Sequence, residues 1–295
     1  MASVGLIGVG NLGLAVARNL IARGHRVIGF RRSSMDAFVA AGGVGAATPP
    51  PAAAGTGLVQ TSLPGRGARG AGVDGPGGLL AGGGAAGKPV FELGSYSMPV
   101  REAARTALAE IGMPFLDCAV SGNPNYVRAR TAAVFVSGDE DAFEAQRAVL
   151  LDITDNVSHV GAFGAGTALK AIVTALIPVH TLAAAEAFAL ATRAGLDRRV
   201  VFDAIAGTPA SSGMFETRGK AMIDGAHSRA VSIEGYLKNI GIATELAESV
   251  GGDYPLFATM KQVFERTIAA GLTGVDQSVV FDYLMRGAGA EVPEG

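Results

Sequence analysis

The chain is poor in the residues that staple or steer small proteins. It has one cysteine, Cys118, and no tryptophan in 295 residues. A single thiol closes no internal disulfide and excludes a Cys-rich zinc centre; it suits a reducing cytoplasm. An excess of either charge is also missing, with 24 Lys and Arg against 26 Asp and Glu. That balance gives neither the basic field of a nucleic-acid binder nor an acidic tail. The start, MASVGLIGVGNLG, lacks a basic n-region and meets glycine too early for a secretory leader. One apolar run, Gly164 to Ala191, has the length of a membrane span. Lys170, Pro178, His180 and Glu186 interrupt it, and charges near a span's centre are costly. The expectation is a cytoplasmic protein with no membrane or nucleic-acid partner.

What is present is a chain long enough for two domains. SVGLIGVGNLGLAVARNLIARGHRVIGF reads as strand, glycine turn, helix and strand, with the helix over 12–22 and Gly24 as its cap. GLVQTSLP, KPVFELGS, MPFLDCAV and TAAVFVSG supply further strand-like runs at spacings that leave room for helices. Strands alternating with helices predict a parallel sheet. Gly, Ala and Pro dominate residues 40 to 88, and the stretch over 66–87 has the composition of a linker. Past VSHVGAFGAG only helical periods remain. They run over 167–194, where Pro178 should introduce a kink, and through DRRVVFDAIAG, EGYLKNIGIATELAESVG, PLFATMKQVFERTIAAG and DQSVVFDYLMRG. The expected domains are 1–162, α/β with a doubly wound parallel sheet, and 163–295, all-helical.

Gly8, Gly10 and Gly13 form a G-x-G-x-x-G pattern. The pattern is specific here because it follows a strand and opens a helix. The first glycine permits the turn, the second lets backbone approach a pyrophosphate, and the third packs helix on strand. Asn11 and Leu12 then offer backbone N–H groups at the helix N-terminus. A site for NAD places an acid at the end of the second strand, about 20 residues on. This chain reads GFRRSS there. Arg31, Arg32 and Ser33 instead suit a 2′-phosphate, which predicts NADP in preference to NAD.

The order of motifs is the dinucleotide fingerprint, TSLP, ELGSYSMP, FLDCAVSG, GAGTALKAIVT and YLKNIGIATELAESVG. Over nearly the whole chain this order resembles the β-hydroxyacid dehydrogenase family, which includes 3-hydroxyisobutyrate dehydrogenases and tartronate semialdehyde reductases. The resemblance implies a Rossmann domain joined by a long helix to a helical domain, in a homodimer or homotetramer. It also implies reversible hydride transfer between a nicotinamide and a short 3-hydroxy acid, a small carboxylate substrate. Lys170 would be the general acid–base group; a lysine in an apolar setting has a lowered pKa and can serve both directions near neutral pH.

Thr174, one turn on, stands where the family usually has asparagine, and it would hold substrate beside the lysine. Ser121 and Gly122 would bind the substrate carboxylate. Asn123 replaces a family glycine; it is expected to take left-handed backbone and to rim the pocket with its side chain. Glu92, Gly94 and Ser95 fall on the family pattern Asp-x-Ser-Thr, with Ser95 near the nicotinamide or substrate. Leu63 and Pro64 would line the cofactor. Lys238 would reach the site from the helical domain, next to Asn239 where aspartate is usual.

Cys118, His180, Met214 and Phe215 are expected to pack rather than react, and SSGMFETRG is expected to join two helices. Two other readings share the scaffold: an imine reductase-like enzyme, which generally lacks a lysine at position 170, and a non-catalytic NADPH sensor.

Overall fold

The computed structural model describes residues 1–63, 73, 77–81 and 86–287. The stretch over 66–87 and Pro64 fall wholly or largely outside them. By packing, the chain divides into Met1–Lys170 and Ala171–Gly295.

The first unit carries an eight-stranded sheet: β1 Ser3–Ile7, β2 Arg26–Phe30, β3 Val44–Gly45, β4 Leu58–Thr61, β5 Val90–Glu92, β6 Phe115–Ser121, β7 Ala133–Ser137 and β8 Asn156–His159. Their order is β3-β2-β1-β4-β5-β6-β7-β8. The helices of this unit are α1 Asn11–Ala22, α2 Asp36–Ala40, α3 Pro49–Ala54, α4 Met98–Ala109, α5 Pro124–Arg128 and α6 Glu140–Ile153.

Side chains of successive strand residues point to opposite faces, and here they feed two separate cores. Leu6, Leu58, Phe91 and Leu116 join one buried cluster. Their neighbours Ile7, Val59, Val90 and Phe115 join the other. Helices therefore cover both faces, which is why these strands read as continuous apolar runs.

The sheet is mostly parallel, as the alternation of strands and helices predicted, with one exception. β6 and β7 pair antiparallel, with Asp117 opposite Ser137 and Ser121 opposite Ala133. A parallel return needs a crossover of about a dozen residues or more, usually with a full helix. The connection between Ser121 and Ala133 holds only the five-residue α5, so the chain turns straight back.

In the second unit, no strand occurs after residue 164 among the described residues. Its helices are α7 Ala165–Arg193, which starts in the first unit, then α8 Arg198–Ile205, α9 Gly213–Asp224, α10 Ile233–Val250, α11 Pro255–Ala269 and α12 Val280–Arg286. The packing divide lies inside α7, after Lys170, rather than at the start of the helix. By length and composition α7 is long and apolar enough to cross a membrane. Its Leu182, Ala185, Phe188 and Ala189 instead pack into the helical core with Phe215, Met222, Ile240 and Phe264.

The stretch SSGMFETRG is a helix start, not a link. The Ser212 hydroxyl accepts from the Phe215 N–H at 3.1 Å, capping α9, and Gly225 ends it in the left-handed region. Glycines at 213 and 219 obscured its apolar period. Phe215, as expected, is packing: it stacks between Phe188 and Phe202, with ring centroids 5.0 and 5.6 Å away.

Candidate active site

The glycine turn leaves β1 at its carboxyl end, where the winding of the sheet reverses between β1 and β4. Open α/β sheets bind ligands at this switch point. Gly8 has φ +103°, and a Cβ there would lie 2.1 Å from the Ser62 carbonyl oxygen. A Cβ on Gly13 would lie 2.2 Å from the Gly8 oxygen. Neither position admits a side chain. A Cβ on Gly10 would meet nothing within 4 Å; this is the open side of the turn. No side chain caps the first turn of α1, so the N–H groups of Asn11 and Leu12 face outward. The tight turn, open Gly10 and uncapped helix end fit a dinucleotide pyrophosphate.

At the end of β2, Arg31 donates from Nη1 to the Val9 carbonyl at 3.3 Å, so it braces the glycine turn. Arg32 and Ser33 are exposed. Leu63, after β4, packs against the core, and its carbonyl accepts the Tyr96 hydroxyl at 2.6 Å. Tyr96 thereby ties the loop after β5 to the loop after β4.

That loop carries Ser95. Lys170 Nζ donates to Ser95 Oγ at 2.6 Å. The two residues are 75 positions apart in sequence, and the fold brings them together. Lys170 is half-buried. Burial pulls its pKa down from the usual lysine value to about 8; the Arg101 guanidinium pulls the same way and the Asp117 carboxylate opposes it. The lysine therefore holds comparable amounts of ammonium and amine near that pH.

The sequence reading missed what lies beneath this pair. Glu92 and Asp117 are register partners on β5 and β6, so their carboxyl groups stand on one face. They are 1% and 0% exposed. Arg101, from α4 and 2% exposed, pairs with Asp117 at 2.8 Å and donates to the Gly94 carbonyl. Glu92 Oε1 accepts the Gly94 N–H at 2.6 Å. Asp117 also accepts the Thr167 N–H at 2.7 Å and the Thr167 hydroxyl at 3.0 Å. Ser137 Oγ accepts the Gly166 N–H at 3.0 Å. These two sheet residues cap the first turn of α7, one turn before Lys170. The signal was present in the sequence, as one acid in the apolar run FLDCAV and one arginine soon after Pro99. Cys118, beside Asp117, is fully buried, and burial pushes its thiol pKa well up; it is core, as expected.

Ser121 ends β6, half-buried, and Gly122 is exposed with φ +136°. Asn123 departs from expectation. Its backbone is extended, with φ −91° and ψ 174°. Its side chain caps α5: Oδ1 accepts the N–H groups of Asn125 and Tyr126 at 2.8 and 3.4 Å. Left-handed backbone falls on Gly122 instead, and the asparagine serves as an N-cap because the next residue, a proline, begins a short helix.

In the second unit, Thr174 is half-buried on α7. The helix continues through Pro178, which has no N–H to donate to the Thr174 carbonyl. The Tyr236 hydroxyl takes that acceptor at 3.0 Å. Lys238 falls on α10, and its side chain lies outside the described residues. His227 bonds Ser278 Oγ at 2.8 Å and Asp282 Oδ2 at 3.0 Å. Ser278 is fully buried and out of a substrate's reach, so this Ser–His–Asp group pins a loop.

The family model for the NAD-binding domain of 6-phosphogluconate dehydrogenase matches residues 3–161. That for the NAD-binding region of NADP-dependent 3-hydroxyisobutyrate dehydrogenase matches 164–288. An L-threonate dehydrogenase of Cupriavidus necator is 31% identical over 281 residues, 94% of each chain. The chain belongs to the β-hydroxyacid dehydrogenase family. Two other members agree in extent. The 2-(hydroxymethyl)glutarate dehydrogenase of Eubacterium barkeri is 29% identical over 99% of this chain and 98% of its own. The 3-hydroxyisobutyrate dehydrogenase of Mycobacterium tuberculosis, solved with L-serine, superposes with a TM-score of 0.84 at 27% identity, covering 96% of this chain and 99% of that one. The chain is thus an NAD(P)-binding oxidoreductase acting on CH–OH groups, and the β-hydroxyacid dehydrogenase scaffold accounts for both of its units.

Proposed function

We infer that this β-hydroxyacid dehydrogenase moves hydride reversibly between NADP(H) and a short 3-hydroxy acid, with Lys170 as the general acid–base group. The observation that carries the reading is the Lys170–Ser95 contact at 2.6 Å, made by a lysine whose pKa is lowered to about 8. When bound, the nicotinamide supplies or accepts the hydride. In oxidation, the neutral Lys170 amine accepts the hydroxyl proton; in reduction, its ammonium returns a proton to the carbonyl oxygen. Ser95 holds Nζ in place. Ser121 and Gly122 receive the substrate carboxylate through hydroxyl and backbone donors.

Gly8, Gly10, Asn11, Leu12 and Gly13 hold the pyrophosphate. The preference for NADP rests on Arg32 and Ser33 standing where an NAD site has an acid. A short 3-hydroxy acid as substrate is supported by the relative solved with L-serine, itself a 3-hydroxy acid. The protein is proposed to be cytoplasmic and to assemble as a homodimer or homotetramer, without nucleic-acid or membrane partners. Ile172, Leu176 and Leu190 on α7 support self-association, being 55, 48 and 71% exposed.

The test is initial-rate turnover of L-threonate, 3-hydroxyisobutyrate and L-serine with NADP⁺ and NAD⁺ between pH 6 and 10. Oxidation rate should rise with pH through about 8, where Lys170 loses its proton, with NADP⁺ preferred. Turnover of cyclic imines alone would move the chemistry to C=N reduction. NADPH binding without turnover of any substrate would leave a sensor.

A further inference from the structure

We propose that Arg101 is a positioning residue for proton transfer, holding the Ser95 loop and the start of α7 together so that Ser95 Oγ and Lys170 Nζ stay in contact. The inference rests on the assignment of Lys170 as the acid–base group.

The contacts close a ring. Arg101 donates to the carbonyl of Gly94, the residue before Ser95. Its other arm pairs with Asp117 at 2.8 Å. Asp117 grips the Thr167 N–H and hydroxyl, three residues before Lys170. Lys170 returns to Ser95 at 2.6 Å. One buried guanidinium thus fixes both partners of the catalytic contact from below. A planar guanidinium spreads its donors in a fixed fork that reaches two acceptors on different elements, whereas an ammonium carries its donors on one atom.

The same placement sets the field on the lysine. The Arg101 guanidinium from α4 disfavours the ammonium form of Lys170, and the Asp117 carboxylate from β6 favours it. Glu92 on β5, Cys118 on β6 and Tyr96, whose ring centroid lies 6.0 Å from the Arg101 guanidinium, are further titratable groups of the cluster. Removing Arg101 leaves Asp117 unopposed, so the lysine should hold its proton to higher pH.

The experiment compares Arg101→Met and Arg101→Lys in the full-length chain, reading kcat, KM and the pH profile of oxidation, with NADPH affinity by fluorescence. For Arg101→Met the midpoint of the oxidation profile should move up by about one pH unit, and kcat should fall at least about tenfold. Arg101→Lys keeps the charge and loses the fork. Its midpoint should stay near that of the parent while kcat still falls, with NADPH affinity within about twofold. Loss of kcat and NADPH affinity together at every pH, with no moved midpoint, would reduce Arg101 to a fold-stabilising residue and overturn the proposal. So would parental kcat in Arg101→Lys, and this variant decides the matter if Arg101→Met does not fold. Lys170→Ala separates the two layers. If it keeps its rate, the acid–base assignment itself fails. If it is inactive while both Arg101 variants match the parent, only the role of Arg101 fails.

Discussion

The two units differ in whether they bury charge. The sheet unit buries an ion pair and a second carboxylate under the site, at Arg101, Asp117 and Glu92. Each is tied to backbone at a loop or a helix end. The helical unit builds its core from aliphatic and aromatic side chains, with Phe188, Phe215 and Phe202 stacked. Among its described residues it also seats buried Ser278 on His227 and pairs Arg218 with Asp276, and the Tyr236 hydroxyl takes the carbonyl that Pro178 leaves without its helical donor. Directional bonds fix atoms where a proton must move, whereas apolar contacts fix volume and tolerate small shifts. Buried, directional contacts are concentrated in the unit that holds Lys170.

Removing the lysine should give the largest effect. Lys170→Ala is expected to lower turnover by about 10²–10⁴, the range for a lost acid–base group, while NADPH affinity holds. Single-turnover kinetics alongside fluorescence titration check this; a rate within threefold of the parent would take Lys170 out of the chemistry.

Breaking the apolar core should act on stability. Phe188→Ala removes a fully buried ring and is expected to cost about 3–5 kcal/mol by denaturant unfolding. If the comparison holds, kcat of the folded fraction should change far less than in Lys170→Ala. An equal loss of kcat would mean that aromatic packing also sets the site's geometry.

A smaller effect is expected at Arg32. Arg32→Ala should weaken NADPH by about tenfold, as for a lost charge-assisted bond, and NADH much less. Equal losses for both cofactors, measured by titration, would remove Arg32 from recognition of the 2′-phosphate.

The smallest effect tests the Tyr236 bond to the Thr174 carbonyl. Tyr236→Phe strands the Thr174 carbonyl and should cost about 1 kcal/mol. In a Pro178→Ala background the new N–H can take that carbonyl, and the same change should become nearly neutral. A double-mutant cycle with no coupling would show that a backbone N–H at position 178 does not replace the Tyr236 hydroxyl at that carbonyl.

Much of this was legible in the sequence. The glycine fingerprint announces itself because a backbone turn and two close approaches, at Gly8 and Gly13, admit no side chain. Lys170 was legible because an ammonium in an apolar run needs a reason, and Cys118 because it sits within a strand-like run. Asn123 was misread. Whether an asparagine side chain meets a pocket or its own backbone depends on the residues after it, and here Pro124 starts a short helix that the side chain caps. The one antiparallel pair, β6 with β7, departs from the parallel pattern for a similar reason, since a short connection outweighs the alternation of strands and helices.

The sequence by itself determined the elements whose cause is local. These are the turn after β1, the alternating strand faces, the long apolar helix and the absence of an acid after β2. Periodicity and steric exclusion act over a few residues, so a linear pattern records them. Only the tertiary structure decided the closed ring from Gly94 through Arg101, Asp117 and Thr167 to Lys170 and back to Ser95. Its members are scattered along the chain from residue 94 to residue 170, and no spacing rule joins them. A buried charge must find its partner wherever the fold brings one, because leaving it unpaired costs more than a marginally stable protein can bear.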